Sequence, residues 1–150
     1  DIIVGEPYAT VSATQNVGKV FVFRDTTTAP IATLTPSTVE LNSQFGLAVG
    51  SAGDLDGDGR PEIMVGQPYL TASGKVSRGR LVIYSGQAAV LGASSILQTF
   101  DGTTTNGLLG RSLAPLGDLN ADGAADIIFG EPYASAGGNN RGRTFVWLAP

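Results

Sequence analysis

The sequence has no cysteine and no histidine. Without cysteine there are no disulfides, no thiol nucleophile and no zinc site built on thiolates. Without histidine there is no serine–histidine–aspartate catalysis, no imidazole base and hardly any route to a transition-metal site. No apolar run approaches the roughly 18 residues of a membrane span, and the first residues do not read as a signal peptide. Charged residues make up only 15% of the chain against 42% hydrophobic, which excludes disorder driven by charge and leaves enough apolar mass for a core. A length of 150 residues allows one ordinary domain. The nine Lys and Arg are scattered, so no basic footprint for nucleic acid is present.

The net charge of −4 is unevenly placed. Asp54, Asp56, Asp58 and Glu62 fall within nine residues, and Asp118, Asp122 and Asp126 within another nine. These seven are over half of the 13 acids; without them the nine bases outnumber the remaining six, a balance of +3. The acidity therefore belongs to two loops, and two divalent cations would neutralise the chain.

The chain repeats. Asp1-Ile2-Ile3-Val4-Gly5-Glu6-Pro7-Tyr8 aligns with Glu62-Ile63-Met64-Val65-Gly66-Gln67-Pro68-Tyr69 and with Asp126-Ile127-Ile128-Phe129-Gly130-Glu131-Pro132-Tyr133, the tyrosines being 61 and 64 residues apart. Each copy is followed by glycine, a base and an apolar run, beginning at Gly18-Lys19, Gly79-Arg80 and Gly142-Arg143. Two copies also share an upstream element, at Phe45-Gly46 and Leu109-Gly110.

Every apolar run is about four to six residues, rich in Val, Ile and Phe and bounded by Gly, Pro or Ser, which predicts strands. Each unit reads as four: A at 45–49 and 109–114, B at 2–4, 63–65 and 127–129, C at 81–84 and its equivalents, D at 31–34 and 96–100. No segment sustains helical periodicity; 87–97 comes closest, and Gly92 and the serines argue against it. The fold class predicted is all-β, with four-stranded antiparallel propeller blades repeated at about 60 residues. Residues 1–41 form a partial blade with strands B to D, 42–104 a complete blade, and 105–150 a blade lacking its outer strand.

Between strands A and B, Asp54, Asp56, Asp58 and Glu62 stand at positions 1, 3, 5 and 9 of one loop, and Asp118, Asn120, Asp122 and Asp126 at the same positions of the other. Oxygen side chains alternating in a tight turn suit a hard cation, and Ca²⁺ takes six to eight oxygens at about 2.3–2.6 Å. Position 6 is Gly59 or Gly123, and position 7, Arg60 or Ala124, offers a backbone carbonyl. Two Ca²⁺ sites are predicted. Magnesium is the lesser option because it demands a stricter octahedron. An EF-hand is excluded: it needs a glutamate near position 12 and flanking helices, whereas position 12 is Val65 or Phe129 within a strand.

On Phe45-Gly46, the loop at Asp54 and Val65-Gly66-Gln67-Pro68, with their counterparts Leu109-Gly110, the loop at Asp118 and Gly130-Glu131-Pro132, the chain resembles the FG-GAP repeats of integrin alpha-subunit propellers. Leu109 departs from the family's Phe, and Gln or Glu replaces the Ala of "GAP". The resemblance implies structural calcium loops on one rim and ligand recognition on the opposite face, through 9–17, 70–78 and 134–141 with 36–44 and 101–108. It implies a non-catalytic extracellular or cell-surface scaffold for adhesion, with a protein or glycan ligand. The alternatives are a lectin-like propeller and part of a secreted carbohydrate-active hydrolase or lyase. For the latter, Glu6 and Glu131 are the obvious carboxylates, but they share one repeat position that Gln67 fills in the middle copy, and a structural role is expected for both. Tyr8, Tyr69 and Tyr133 are expected to pack, and Trp147, counterpart of Phe23 and Tyr84, to lie in the core. Two and a half units do not close a propeller, so the expectation is either a piece of a longer one or a homo-oligomer that completes the ring.

Overall fold

The computed structural model describes residues 1–24, 27–90, 94–135 and 140–150. Strands β1 (Ile2–Glu6), β2 (Lys19–Phe23) and β3 (Ala32–Leu34) form one antiparallel sheet in that order. The middle sheet runs β4 (Ala48–Gly53), β5 (Glu62–Gly66), β6 (Arg80–Tyr84) and β7 (Ile96–Asp101), each strand beside its sequence neighbour. The third sheet comprises β8 (Ser112–Gly117), β9 (Asp126–Glu131) and β10 (Arg143–Trp147), with β9 central. These are antiparallel sheets of propeller-blade type that do not close into a ring, and the predicted all-β class is found.

Period-two alternation makes the middle sheet a double-sided partition. From β5 and β6, Ile63, Val65, Val82 and Tyr84 pack with Val20, Val22, Leu34 and Phe45, against the first sheet. The intervening Met64, Leu81 and Ile83 pack with Leu109, Ile127 and Phe129, against the third. All five residues of β5 are buried. Each fully buried aliphatic side chain stabilises the stack by about 1.5–3 kcal/mol. Aromatics complete both layers: Phe45 meets Tyr84 edge-on with centroids 6.2 Å apart, and Phe100 lies 4.8 Å from Phe129 and 5.5 Å from Trp147.

Three expectations are corrected. Strand A starts at Ala48 and Ser112, three residues after Phe45 and Leu109. The Phe-Gly and Leu-Gly pairs form turns instead, because Gly46 (φ +85°) and Gly110 (φ +83°) are left-handed and cannot continue a strand. A helical turn, α1 (Gly86–Val90), also occupies part of 87–97, where no helix was expected. Ser85 caps it, its Oγ accepting from Ala88 N–H at 3.2 Å and its carbonyl from Ala89 N–H at 3.2 Å. The remainder of that segment includes 91–93, outside the described residues. Trp147, expected in the core, is half-buried at its margin.

Candidate metal centre

The acidic loops are set up by glycine-led bulges at the ends of β4 and β8. The registers slip between Ser51 and Gly53 and between Pro115 and Gly117, and both glycines have positive φ. The loop side chains then fold onto their own backbone, as aspartates do in turns. Asp54 accepts from Gly57 N–H at 2.8 Å and Gly59 N–H at 2.9 Å, Asp56 from Asp58 N–H at 3.2 Å, and Asp58 from Arg60 N–H at 2.8 Å. The result brings one carboxylate oxygen each of Asp54, Asp56 and Asp58 within 4.8 Å of one another.

The second loop repeats the pattern. Asp118 accepts from Asp122 N–H at 3.1 Å and Gly123 N–H at 2.9 Å, and Asp122 from Ala124 N–H at 2.9 Å. Asn120 donates from Nδ2 to Asp122 Oδ2 at 2.7 Å. The Ala124 N–H and then the Asn120 amide hold the Asp122 carboxyl below its ordinary range. Position 7 lies beside position 5 in both loops, the Arg60 and Ala124 amides bonding Asp58 and Asp122.

Position 9 behaves differently. Glu62 and Asp126 are completely buried, and neither joins the cluster of three. Glu62 Oε2 accepts from Leu55 N–H at 2.6 Å and Oε1 from Gly86 N–H at 3.3 Å. Asp126 accepts from Leu119 N–H at 2.8 Å and Ala149 N–H at 3.0 Å. These carboxylates tie the loop's second residue to the end of the third strand in the same sheet. Burial pushes the Glu62 carboxyl up, and the charges of Asp56 and Asp58 push it further.

The donor set suits a hard cation. It is all oxygen, Gly57, Gly59 and Gly123 supply the positive φ that the turns require, and the ion pairs among the described residues lie elsewhere, at Asp101 and Glu131.

At the opposite ends of the strands, the hairpin loops 9–17 and 70–78 are pinched by bridges Val11–Thr14 and Ala72–Lys75. Each is bonded to the loop entering the next sheet: Gln44 N–H donates to Asn16 O at 3.1 Å, and Asn106 N–H to Val76 O at 2.7 Å. The segments 9–17, 36–44, 70–78 and 101–108 thus form one rim. Part of 134–141, residues 136–139, lies outside the described residues.

The two glutamates at the repeated position stand in different settings. Glu6 is exposed, whereas Glu131 is buried, ion-paired with Arg143 and bonded by Thr104 N–H at 3.3 Å. Gln67 occupies the same position and donates to Ser43 Oγ at 2.9 Å and Thr38 O at 3.4 Å. In both sheets this residue clamps the loop that enters the inner strand. The tyrosines depart from expectation: Tyr8 (65%) and Tyr133 (45%) are exposed, and Tyr69 is half-buried with its hydroxyl accepting from Arg111 at 2.9 Å.

Stacked antiparallel sheets of three, four and three strands, the second and third each carrying an acidic loop between its first two strands, define a blade-repeat scaffold of propeller type. The chain belongs to the FG-GAP repeat family, whose pattern matches residues 45–91 and 109–147. It is 37% identical to human integrin alpha-IIb over 115 residues, covering 73% of this chain and 11% of that protein. Mouse integrin alpha-8 is 36% identical over 138 residues, 89% of this chain and 12% of the relative. Integrin alpha pat-2 of Caenorhabditis elegans is 33% identical over 122 residues, 73% of this chain and 10% of the relative. The chain therefore spans about a tenth of the length of these relatives.

Proposed function

We propose that this chain is a calcium-stabilised, non-catalytic portion of an extracellular or cell-surface adhesion propeller, with residues 1–41, 42–104 and 105–150 as successive blade units. The convergence of Asp54, Asp56 and Asp58 carries this reading: three carboxylates within 4.8 Å have no cationic side chain beside them among the described residues. When bound, the cation supplies the positive charge that cancels their repulsion. Asp54, Asp56, Asp58 and the Arg60 carbonyl would hold one ion, and Asp118, Asn120, Asp122 and the Ala124 carbonyl the other, with Glu62 and Asp126 completing the two sets through the lone pairs that their amide bonds leave open. Millimolar calcium outside cells matches loops of modest affinity.

The rim formed by 9–17, 36–44, 70–78 and 101–108 is the surface we assign to a protein or glycan ligand. Loops of unlike sequence on a repeated scaffold support it, and so does the similarity to integrin alpha chains. Thermal unfolding in calcium, magnesium and chelator tests the metal assignment. A melting temperature raised by calcium above both other conditions is expected; identical melts overturn it. For the rim, binding to immobilised matrix proteins and glycans is compared before and after exchange of loops 9–17 and 70–78 for short glycine turns. Unchanged binding removes the ligand assignment from this face.

A further inference from the structure

The two acidic loops touch. Ala125 N–H donates to the main-chain carbonyl of Asp54 at 3.0 Å, joining the third sheet to the middle one at the first residue of the first loop. Ala125 lies between Ala124 and Asp126, positions 7 and 9 of the second loop. Gly53, immediately before Asp54, has φ +82°, and a β-carbon there would stand 2.6 Å from the Ala125 methyl. Ala124 and Ala125 also pack against the cluster that contains Ala52 and Leu55. The residues that position one loop are therefore held by residues inside the other.

We propose that cation binding in the two loops is positively coupled through the Ala125–Asp54 hydrogen bond; this rests on the calcium reading above. A cation in the second loop fixes Ala124 and Asp126, and with them the Ala125 amide. The fixed amide holds the Asp54 carbonyl, so the first loop loses less conformational freedom when its own ion arrives. The coupling is reciprocal, because a binding linkage acts equally in both directions.

The repeat itself supplies the variant that cuts this connection. The counterpart of Ala125 in the first loop is Pro61, which has no N–H to donate. One copy of the repeat thus already accepts proline at this position. Ala125→Pro deletes the donor and leaves every proposed ligand in place, while Ala125→Gly keeps the donor.

The experiment is calorimetric titration of calcium chloride into the calcium-free whole chain and into Ala125→Pro, Ala125→Gly, Asp56→Ala and Asp122→Ala. The unaltered chain is expected to take two ions. Asp122→Ala, which disables the second loop, should weaken the first loop's ion roughly fivefold or more, and Asp56→Ala should weaken the second loop's ion by the same factor. Ala125→Pro should show two ions bound independently, with the cooperative gain lost from both loops, and Ala125→Gly, which keeps the amide, should retain the coupling. Two sites whose affinities do not change when the other loop is disabled overturn the coupling and leave the calcium reading standing, as do sites that weaken each other. No binding by the unaltered chain overturns both. Should Ala125→Pro fail to fold, the Asp56→Ala and Asp122→Ala pair decides alone: a weakened remaining ion in both supports the coupling, and an unchanged or tightened ion in either overturns it.

Discussion

Gly66 of the middle sheet and Gly110 of the third meet backbone to backbone: a β-carbon on Gly66 would stand 2.0 Å from the Gly110 carbonyl oxygen. Gly5 and Gly46 repeat the relationship between the first and middle sheets, also at 2.0 Å. Gly46 N–H meanwhile donates to Gly66 O at 2.9 Å and Gly110 N–H to Gly130 O at 3.0 Å, so each glycine turn is bonded within its own sheet and pressed against the preceding one. The two glycines of the repeat pattern are thus halves of one contact between sheets.

Gly66→Ala is expected to cost at least about 1–3 kcal/mol, since backbone must move to admit a methyl group. At Gly130, the equivalent position of the third sheet, the nearest atom to an added β-carbon is the rotatable Ser112 Oγ at 2.5 Å. Gly130→Ala should therefore cost clearly less. Urea unfolding at fixed calcium measures both, and equal losses would mean that the sheet-to-sheet approach is not what selects glycine.

Calcium should stabilise through the loops alone. A ligand at a hundredfold excess over its Kd adds about 2.7 kcal/mol per site. Asp56→Ala and Asn120→Ala should each remove much of that gain, while changing the melting temperature little in chelator. Equal shifts in calcium and in chelator would separate these side chains from the ion.

Asp101 should make the stack acid-sensitive. Burial pushes its carboxyl up, but Arg80, bonded to it at 2.6 Å and 3.1 Å, and Arg78, 2.6 Å away, together hold it below its ordinary value. The folded protein thus releases this proton more readily than the unfolded chain. The stabilisation is complete above the ordinary carboxyl pKa of about 4 and is lost as pH falls through the lower folded value. Asp101→Asn should cost about 1–3 kcal/mol at neutral pH, because Arg78 is largely buried. Melts from pH 2 to 6 should show the gap between the variant and the unaltered chain narrowing at the acid end; a gap independent of pH would count against this ion pair.

Glu131 should tolerate glutamine better than alanine. Gln67 shows that an amide can clamp the incoming loop, whereas alanine takes the acceptor from the Thr104 backbone amide and leaves the Arg143 guanidinium only the Thr103 and Thr104 hydroxyls. Glu131→Ala is expected to cost about 1–3 kcal/mol and Glu131→Gln less. Thermal denaturation of the two variants checks the order.

Much was legible before any fold was seen. Runs of four to six β-branched and aromatic residues placed every B and C strand, and the repeat placed their partners, because alternation and turn chemistry are local properties of sequence. The same logic misplaced strand A. Phe45 is apolar and fully buried, but its amide donates to Val17 O across the sheet boundary at 2.7 Å instead of entering its own strand. A buried apolar residue reads alike in a turn and in a strand, so the left-handed glycine beside it was the better guide.

The sequence by itself determined the repeat, the strand class and the two acidic loops, since spacing and residue chemistry are written along the chain. Tertiary structure decided which oxygens converge. Asp54, Asp56 and Asp58 curl together within one turn, but Glu62 and Asp126 sit where the strand begins and are drawn into the interior by Leu55, Gly86, Leu119 and Ala149 amides. It also decided that the two loops meet, at Asp54 and Ala125, which are 71 residues apart. A contact between sheets depends on how the sheets stack, and no spacing along the chain encodes that.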